Sequence, residues 1–350
     1  MRSVEWRDGR VRMIDQRQLP WDLAYLEYED YRDVAQAITD SAIQGGVAVG
    51  VTGAYGMALA AQQSPAMDMG SVLDYLEVAS VILKKASPNV TQLARKVDRM
   101  LLRAREDVYS TAREIREALL KEAGQIADDE VACNQRIGKH GANLIREGDT
   151  ILHHGNTGAL AAVDYGTALG VLRTAHEQKK TIHVLLTESR PRLHGARLAG
   201  WELKQAGVPF EIITDSAAGH YMRTGAVKLV LVGGDRLAAN GDTVADIGTY
   251  SLAVLAKENK IPFYVVLQSA NIDSKLTTGE KLKPDEHPAE EVRSPYGNAL
   301  LPEDFPLRNP AFDMTPQRYL AGVVTENGIS LPPFRESLSK LGKTAKVAKV

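Results

Sequence analysis

Residues 150–158 read TILHHGNTG, and residues 229–236 read LVLVGGDR. Each stretch is a short apolar run followed at once by glycine and polar residues, which is the pattern of a buried strand that ends in a loop. Similar apolar runs lie at residues 181–187, 209–214 and 262–266, with helical stretches between them. Apolar strands of about five residues that alternate with helices predict an α/β fold with a doubly wound, parallel (Rossmann-like) sheet.

The loops that follow these strands are the expected place for a functional site. In doubly wound sheets, ligands bind beyond the carboxyl ends of the strands. This rule selects four loops, at residues 153–158, 188–194, 215–220 and 233–241.

The first part of the chain has a different texture. Residues 4–7 and 11–15 flank the dipeptide Asp8-Gly9, which predicts a short β-hairpin. Apolar residues then recur at helical spacing. The predicted helices lie at residues 31–43, 71–83, 91–102 and 103–127.

A chain of 350 residues is too long for one ordinary core. We therefore predict two domains, a smaller, mainly helical N-terminal domain over residues 1–128 and a Rossmann-like domain over residues 129–350 that carries most of the site. A helix is expected at residues 137–145 and another at 163–177. The proline-containing stretch from Pro302 to Pro316 is expected to be irregular.

Composition narrows the classes of partner. The formal net charge is −2, which gives no electrostatic reason to expect nucleic acid or an anionic membrane. The single cysteine, Cys133, excludes an internal disulfide and a cysteine-based zinc site, and it suits a reducing compartment. The N-terminus is charged, and no apolar run reaches about 18 residues. A soluble, cytoplasmic protein is expected.

The loops and the tail carry motifs that occur together in a known family. Residues 155–160 (GNTGAL), 188–198 (ESRPRLHGARL), 214–220 (TDSAAGH), 233–250 (GGDRLAANGDTVADIGTY) and 309–316 (NPAFDMTP) follow one another in order. Together they resemble the methylthioribose-1-phosphate isomerases and their initiation-factor-2B-like relatives, a resemblance that runs from Trp6 to about Pro333. It implies a homodimeric aldose–ketose isomerase that needs no cofactor and acts on a small pentose-type substrate.

The resemblance also implies a catalytic pair, a cysteine and an aspartate. Asp235 stands at the position of the aspartate, whereas Gly155 stands at that of the cysteine and cannot act as a nucleophile, acid or base. A carboxyl between a buried strand and a loop can be partly desolvated, which would raise its pKa toward neutrality. The structural alternative is that Asp235 caps the next turn and pairs with Arg236. Cys133 is expected to be a small buried thiol.

The positions implied to hold the substrate phosphate have changed as well. Gln44 and Ser87 replace two arginines, and Ala245-Asp246 replaces an asparagine–lysine pair. Hydrogen bonds from charged donors contribute about 1.5–3 kcal/mol each, so their loss predicts weak binding of a phosphate. The implied substrate-binding positions are Gln44, Gly45, Gly46, Ser87, Gly155, Asn156, His194, Asn240, Ala245 and Asp246.

Histidines are the new feature of these loops. His153, His154 and His194 could act as an acid or base in place of the missing thiol, or could ligate a metal. We predict no metal, because adjacent side chains at a strand end point to opposite faces. His220 matches a position of the family and is expected to be structural.

Three functional hypotheses follow. The first, which we favour, is an isomerase acting on an altered pentose-derived substrate that lacks the C1 phosphate or carries a cationic group. The second is a methylthioribose-1-phosphate isomerase with a rebuilt site. The third is a non-catalytic binding or regulatory protein; against it, Asp235 and the Ala239–Asp242 motif (ANGD) are intact.

Overall fold

A computed structural model describes residues 1–281 and 286–347 of the chain. These residues form two compact units. The first comprises Met1–Ala132 together with Ala159–Gly166, and the second comprises Cys133–Gly158 and the chain from Thr167 onward. The sequence predicts a single boundary between residues 128 and 129. It does not predict that Ala159–Gly166 belongs to the first unit.

The first unit opens with a small antiparallel sheet in the order β1-β2-β3. Its strands are β1 (Val4–Arg7), β2 (Arg10–Ile14) and β3 (Tyr25–Tyr28). At the β1–β2 turn, Asp8 and Gly9 both have positive φ, 48° and 83°, as a two-residue hairpin turn of type I′ requires. The predicted hairpin is confirmed, and β3 extends it.

Helices make up the rest of the first unit. They are α1 (Tyr31–Thr39), α2 (Gly46–Gln63), α3 (Met69–Ala86), α4 (Thr91–Ala104) and α5 (Ala112–Ala142), whose last residues belong to the second unit.

The second helix, α2, is central to the first unit. It is buried from Ala48 to Ala61, and α1, α3 and α4 pack against it. A helix that is apolar on every side shows no helical periodicity, so the sequence pattern does not predict it. The separately predicted helices at residues 103–127 and 137–145 are largely one continuous helix, α5.

A seven-stranded sheet forms the core of the second unit, in the order β14-β13-β10-β7-β4-β5-β6. Six strands are parallel and β14 is antiparallel at the edge, which confirms the doubly wound sheet. The strands are β4 (Thr150–His154), β5 (His183–Thr187), β6 (Phe210–Ile213), β7 (Leu229–Val232), β10 (Phe263–Val266), β13 (Gly322–Thr325) and β14 (Gly328–Ser330).

Alternating side chains give this sheet two buried faces. On β4, Ile151 packs in one apolar layer and Leu152 packs in the other, on the opposite face of the sheet. A helix was predicted at residues 163–177, but α6 begins only at residue 168. The helices are α6 (Ala168–Glu177), α7 (Gly200–Ala206), α8 (Ala218–Arg223), α9 (Thr249–Glu258), α10 (Glu290–Arg293) and α11 (Phe334–Val347).

A second, four-stranded sheet stands beside the carboxyl end of β7, in the order β11-β8-β9-β12. The expectation that residues 302–316 are irregular is wrong at their end, because β12 pairs with β9 there. None of the described helices is long and apolar enough to cross a membrane. The strands of this sheet are β8 (Arg236–Ala238), β9 (Thr243–Asp246), β11 (Ile272–Asp273) and β12 (Phe312–Thr315).

Candidate active site

The candidate site of the second unit begins where β4 and β7 end. His154 lies opposite Val232 in the parallel register, so the loops starting at Gly155 and Gly233 leave the sheet at the same level. Asp246, the last residue of β9, approaches the first of these loops from the small sheet. The edge selected by the sequence pattern therefore carries Gly155, Asp235 and Asp246.

Gly155 is buried and has a backbone conformation that favours glycine, with φ +90°. Its N–H donates to the Ser189 hydroxyl at 3.0 Å. A Cβ on this residue would lie 2.7 Å from Oδ2 of Asp246. The same Oδ2 accepts a hydrogen bond from the N–H of Asn156 at 3.3 Å. The Asp246 carboxylate thus occupies the space in which a side chain at position 155 would begin.

Asp235 is fixed through its backbone. Its N–H donates to Val244 O at 2.9 Å, and its carbonyl accepts from Asn271 Nδ2 at 3.1 Å. The neighbouring Arg236 pairs with Asp273, with Nε 3.2 Å from Oδ2. Within the described residues the Asp235 carboxyl accepts no hydrogen bond. The structural alternative, a carboxylate that caps a turn and pairs with Arg236, is therefore not what the structure contains.

The environment of Asp235 favours its protonated form. Asp235 is exposed to solvent by its accessible surface, although many protein atoms surround its carboxyl. This surrounding protein, and then the negative charge of Asp246, raise its pKa from 3.8 to about 7. A carboxyl of this kind can both donate and accept a proton near neutral pH.

Two of the three histidines hold the loops together. His153 Nδ1 donates to Leu231 O at 2.8 Å, and its Nε2 lies 3.2 Å from the Thr157 hydroxyl. Burial lowers the pKa of His153 to about 4, so this ring is neutral. His154 Nε2 donates to Ile247 O at 2.9 Å, and its Nδ1 accepts from the Thr187 hydroxyl at 2.7 Å. These contacts give both rings structural roles.

His194 is also held neutral. Burial lowers its pKa to about 4, and Asp246 opposes this shift while Arg192 and Arg197 add to it. Among residues 1–281 and 286–347, no three His, Cys, Asp or Glu side chains are grouped so that they could hold a metal ion.

The arginines of the loop after β5 are engaged with the segment around α10. Arg192 contacts Glu291 and His287, each at 2.6 Å, and the Arg197 guanidinium stacks on the Tyr296 ring at 3.3 Å from its centroid. Although burial opposes the shift, hydrogen bonds from His287 and Arg192 lower the pKa of Glu291 to about 2. The cationic side chains here are thus used to attach the loop.

Other predicted site residues of the second unit have local roles. The carboxamide of Asn240 bonds to Asp242 in both directions, at 2.7 and 3.0 Å, and so closes a turn. Ala245 is buried in β9. Cys133 is partly buried and packs against the apolar layer that contains Ile151.

Four predicted positions lie in the first unit. Gln44 Nε2 donates to Ser41 O at 3.3 Å. Gly45 precedes α2 with φ +93°, and a Cβ there would lie 2.4 Å from Ala161 Cα. Gly46 is the first residue of α2, and Ser87 follows the last residue of α3.

Ser189 and Asp313 were not predicted individually. Ser189 accepts from Gly155 N–H, and the Asp313 carboxylate accepts from Gly248 N–H at 2.7 Å and Tyr250 N–H at 3.0 Å. Burial raises the pKa of Asp313 to about 6, with Asp246 contributing in the same direction. Both residues stand inside motifs that the sequence pattern had singled out.

Comparison with known proteins agrees with this architecture. The family model for the initiation factor 2 subunit family matches residues 42–332. Methylthioribose-1-phosphate isomerase of Geobacter metallireducens is 45% identical over 342 residues, 98% of this chain and 99% of the relative. Methylthioribose-1-phosphate isomerase 2 of Pseudothermotoga lettingae is 43% identical over 98% of this chain and 99% of its own length.

Solved structures are similar over the same extent. The crystal structure of 5-methylthioribose 1-phosphate isomerase from Pyrococcus horikoshii OT3 has a TM-score of 0.94 and 39% identity, covering 98% of this chain and 96% of that one. The structure described as translation initiation factor eIF-2B subunit delta from A. fulgidus has a TM-score of 0.91 and 37% identity, covering 98% and 99%. The chain belongs to the initiation factor 2 subunit family, and its close relatives within that family are methylthioribose-1-phosphate isomerases.

Proposed function

We propose that this protein is an aldose–ketose isomerase whose substrate is a pentose-derived aldose without a phosphate on C1, or with a cationic group in its place. The main support for the proposal is the position of the Asp246 carboxylate, which lies against the loop at Gly155 and Asn156. Its negative charge adds to the effect of burial in raising the pKa of Asp235.

Electrostatics supports a substrate that is not a dianion. Two unit charges 4 Å apart interact by about 4 kcal/mol at an effective dielectric constant of about 20. A phosphate beside Asp246 would therefore be repelled where the family resemblance implies that a lysine attracts it. Arg192 and Arg197 are engaged with Glu291 and Tyr296, which makes them poor substitutes for the missing cations.

The isomerase reaction is also simpler for a substrate without a phosphate on C1. A phosphate on C1 blocks ordinary opening of the sugar ring, whereas a free aldose is a hemiacetal that opens unaided. The remaining task is to move one proton from C2 to C1 and another from the C2 oxygen to the C1 oxygen. Carboxyl groups that exchange protons near neutral pH can perform both transfers without a cofactor.

A paired assay tests the proposal. Methylthioribose and methylthioribose 1-phosphate are incubated separately with the protein, and ketose formation is followed by NMR. We expect conversion of the unphosphorylated sugar, at least tenfold faster than that of its 1-phosphate. An aminated pentose in the same assay tests the cationic alternative.

The opposite outcomes favour the other hypotheses. Efficient turnover of the 1-phosphate would identify a methylthioribose-1-phosphate isomerase with a rebuilt site. Binding of a pentose derivative with no turnover of any member of the panel would favour a binding or regulatory protein.

A further inference from the structure

We infer that Asp246 is the second proton-transfer residue of this site and forms an acid–base pair with Asp235. The inference rests on the proposed isomerase function and goes beyond it by assigning the base that acts on carbon. An isomerase needs one group at carbon and one at oxygen, and Asp235 alone supplies a single carboxyl.

The position of the Asp246 carboxylate is well defined. Its backbone is paired with Phe312 in the small sheet, and its carbonyl accepts from the Thr249 hydroxyl at 2.6 Å. Its Oδ2 is held by the Asn156 N–H and lies 2.7 Å from the point where a Cβ of residue 155 would stand. Because residue 155 is glycine, the Asp246 carboxylate can lie against this loop. A larger side chain at position 155 would occupy the same space.

Asp235 lies beside the end of β9, because its N–H donates to Val244 O, two residues before Asp246. Like charges at close range disfavour double ionisation, so a pair of this kind holds one proton over a range of pH. Burial is the larger cause of the raised pKa of Asp235, and the negative charge of Asp246 adds to it, as such a pair requires. Other titratable or charged groups that act on the pair or its neighbours are His194, Arg192, Arg197, Glu291, His154 and Asp313.

The proton balance closes with these two groups. In the open-chain aldose, ionised Asp246 removes the proton from C2, a C1–C2 double bond forms, and the C1 oxygen takes the proton of Asp235. Asp235, now ionised, then removes the proton from the C2 hydroxyl as the C2 carbonyl forms, and Asp246 returns its proton to C1. The ketose is released with both carboxyls in their starting states.

The test compares Asp246→Asn with wild type on the sugar that wild type converts. We expect kcat to fall at least 100-fold while KM stays within about threefold, because the amide keeps the shape but cannot accept a proton. The alkaline limb of any residual activity should move about one pH unit lower, because Asp235 loses a neighbouring negative charge. The control, Asp273→Asn, alters a carboxylate that pairs with Arg236 and should stay within twofold of wild type.

A second variant keeps the test decisive if the amide perturbs folding. Asp246→Gly leaves room beside Gly155 for a small carboxylate, so formate should restore activity at least tenfold, and chloride at equal ionic strength should not. Wild-type kcat in Asp246→Asn, or no formate rescue in a folded Asp246→Gly, would overturn the inference while leaving the isomerase proposal intact. Absence of wild-type turnover on the whole panel would overturn both.

Discussion

Replacing Gly155 with alanine tests the geometry of the site without any assumption about its function. The new Cβ meets two obstacles. At φ +90° a non-glycine residue is strained by about 1 kcal/mol. The Cβ would also lie 2.7 Å from Asp246 Oδ2, so the carboxylate must move away from the Asn156 N–H. A hydrogen bond to a charged acceptor contributes about 1.5 kcal/mol at the lower end of its range. The total destabilisation is expected to be about 2.5 kcal/mol.

A double-mutant cycle separates these two contributions. In an Asp246→Ala background the carboxylate is absent, so Gly155→Ala should cost only the backbone strain of about 1 kcal/mol, leaving a coupling of about 1.5 kcal/mol. The assay is urea unfolding of the four proteins at pH 7. Gly148→Ala is the matched control, because Gly148 has φ +79° and no atom within 4 Å of its added Cβ. Equal costs of Gly155→Ala in both backgrounds would refute the placement of Asp246.

Three further predictions concern function and assembly. Asp235→Asn should lower turnover of the true substrate by two or more orders of magnitude with little change in melting temperature at pH 4, where the wild-type carboxyl is largely neutral in the folded protein; normal turnover would remove Asp235 from the mechanism. Methylthioribose 1-phosphate should bind with a Kd above about 1 mM, because the implied cations at Gln44, Ser87 and Asp246 are missing; micromolar binding by calorimetry would contradict this. Light scattering should give about twice the chain mass of 38.1 kDa, as the family resemblance implies, and a monomer mass at micromolar concentration would refute the dimer.

The raised pKa of Asp235 should also make the stability of the protein depend on pH. A carboxyl with a raised pKa in the folded state binds more protons there than in the unfolded chain, so its contribution falls as pH rises from about 4 to about 7. A shift of this size corresponds to about 4 kcal/mol, which solvent access reduces to about 1 kcal/mol. Asp235→Asn should therefore melt about 1 °C above wild type at pH 8 and level with it at pH 4, by calorimetry. The same difference at both pH values would mean that the shift is absent.

The parallel sheet could be predicted because its strands obey a local rule. The runs that became β4 and β7 are apolar, short and followed by glycine, so strand and loop could be identified without any tertiary information. The helix α2 could not be predicted by periodicity, because burial on every side removes the polar face that marks a helix. The strand β12 was obscured by the prolines around it.

The site shows the same division between local and long-range information. Asp235 could be predicted from its place at a strand end. The contact between Gly155 and Asp246 could not, because 90 residues separate Asn156 from the Asp246 carboxylate that it holds. That contact requires β9 to pair with both β8 and β12, and neither pairing has a signal in the sequence around Gly155.

Because of this contact, the glycine at position 155 and the aspartate at position 246 depend on each other. This dependence bears on whether the site is functional. A site in which glycine had merely replaced the cysteine that the family resemblance implies could fill the space at position 155 with an apolar side chain from a neighbouring loop. This chain instead brings a carboxylate close to a second carboxyl, which raises the electrostatic energy of the folded state. Unfavourable charge placement of this kind is concentrated at functional sites, where it sets a proton affinity or attracts a ligand. A protein that only binds a cation could use the same two carboxyls, but it would not need Asp235 to retain a proton near neutral pH. The placement of the Asp246 carboxylate at the Gly155 loop, together with the raised pKa of Asp235, therefore favours proton transfer over simple binding.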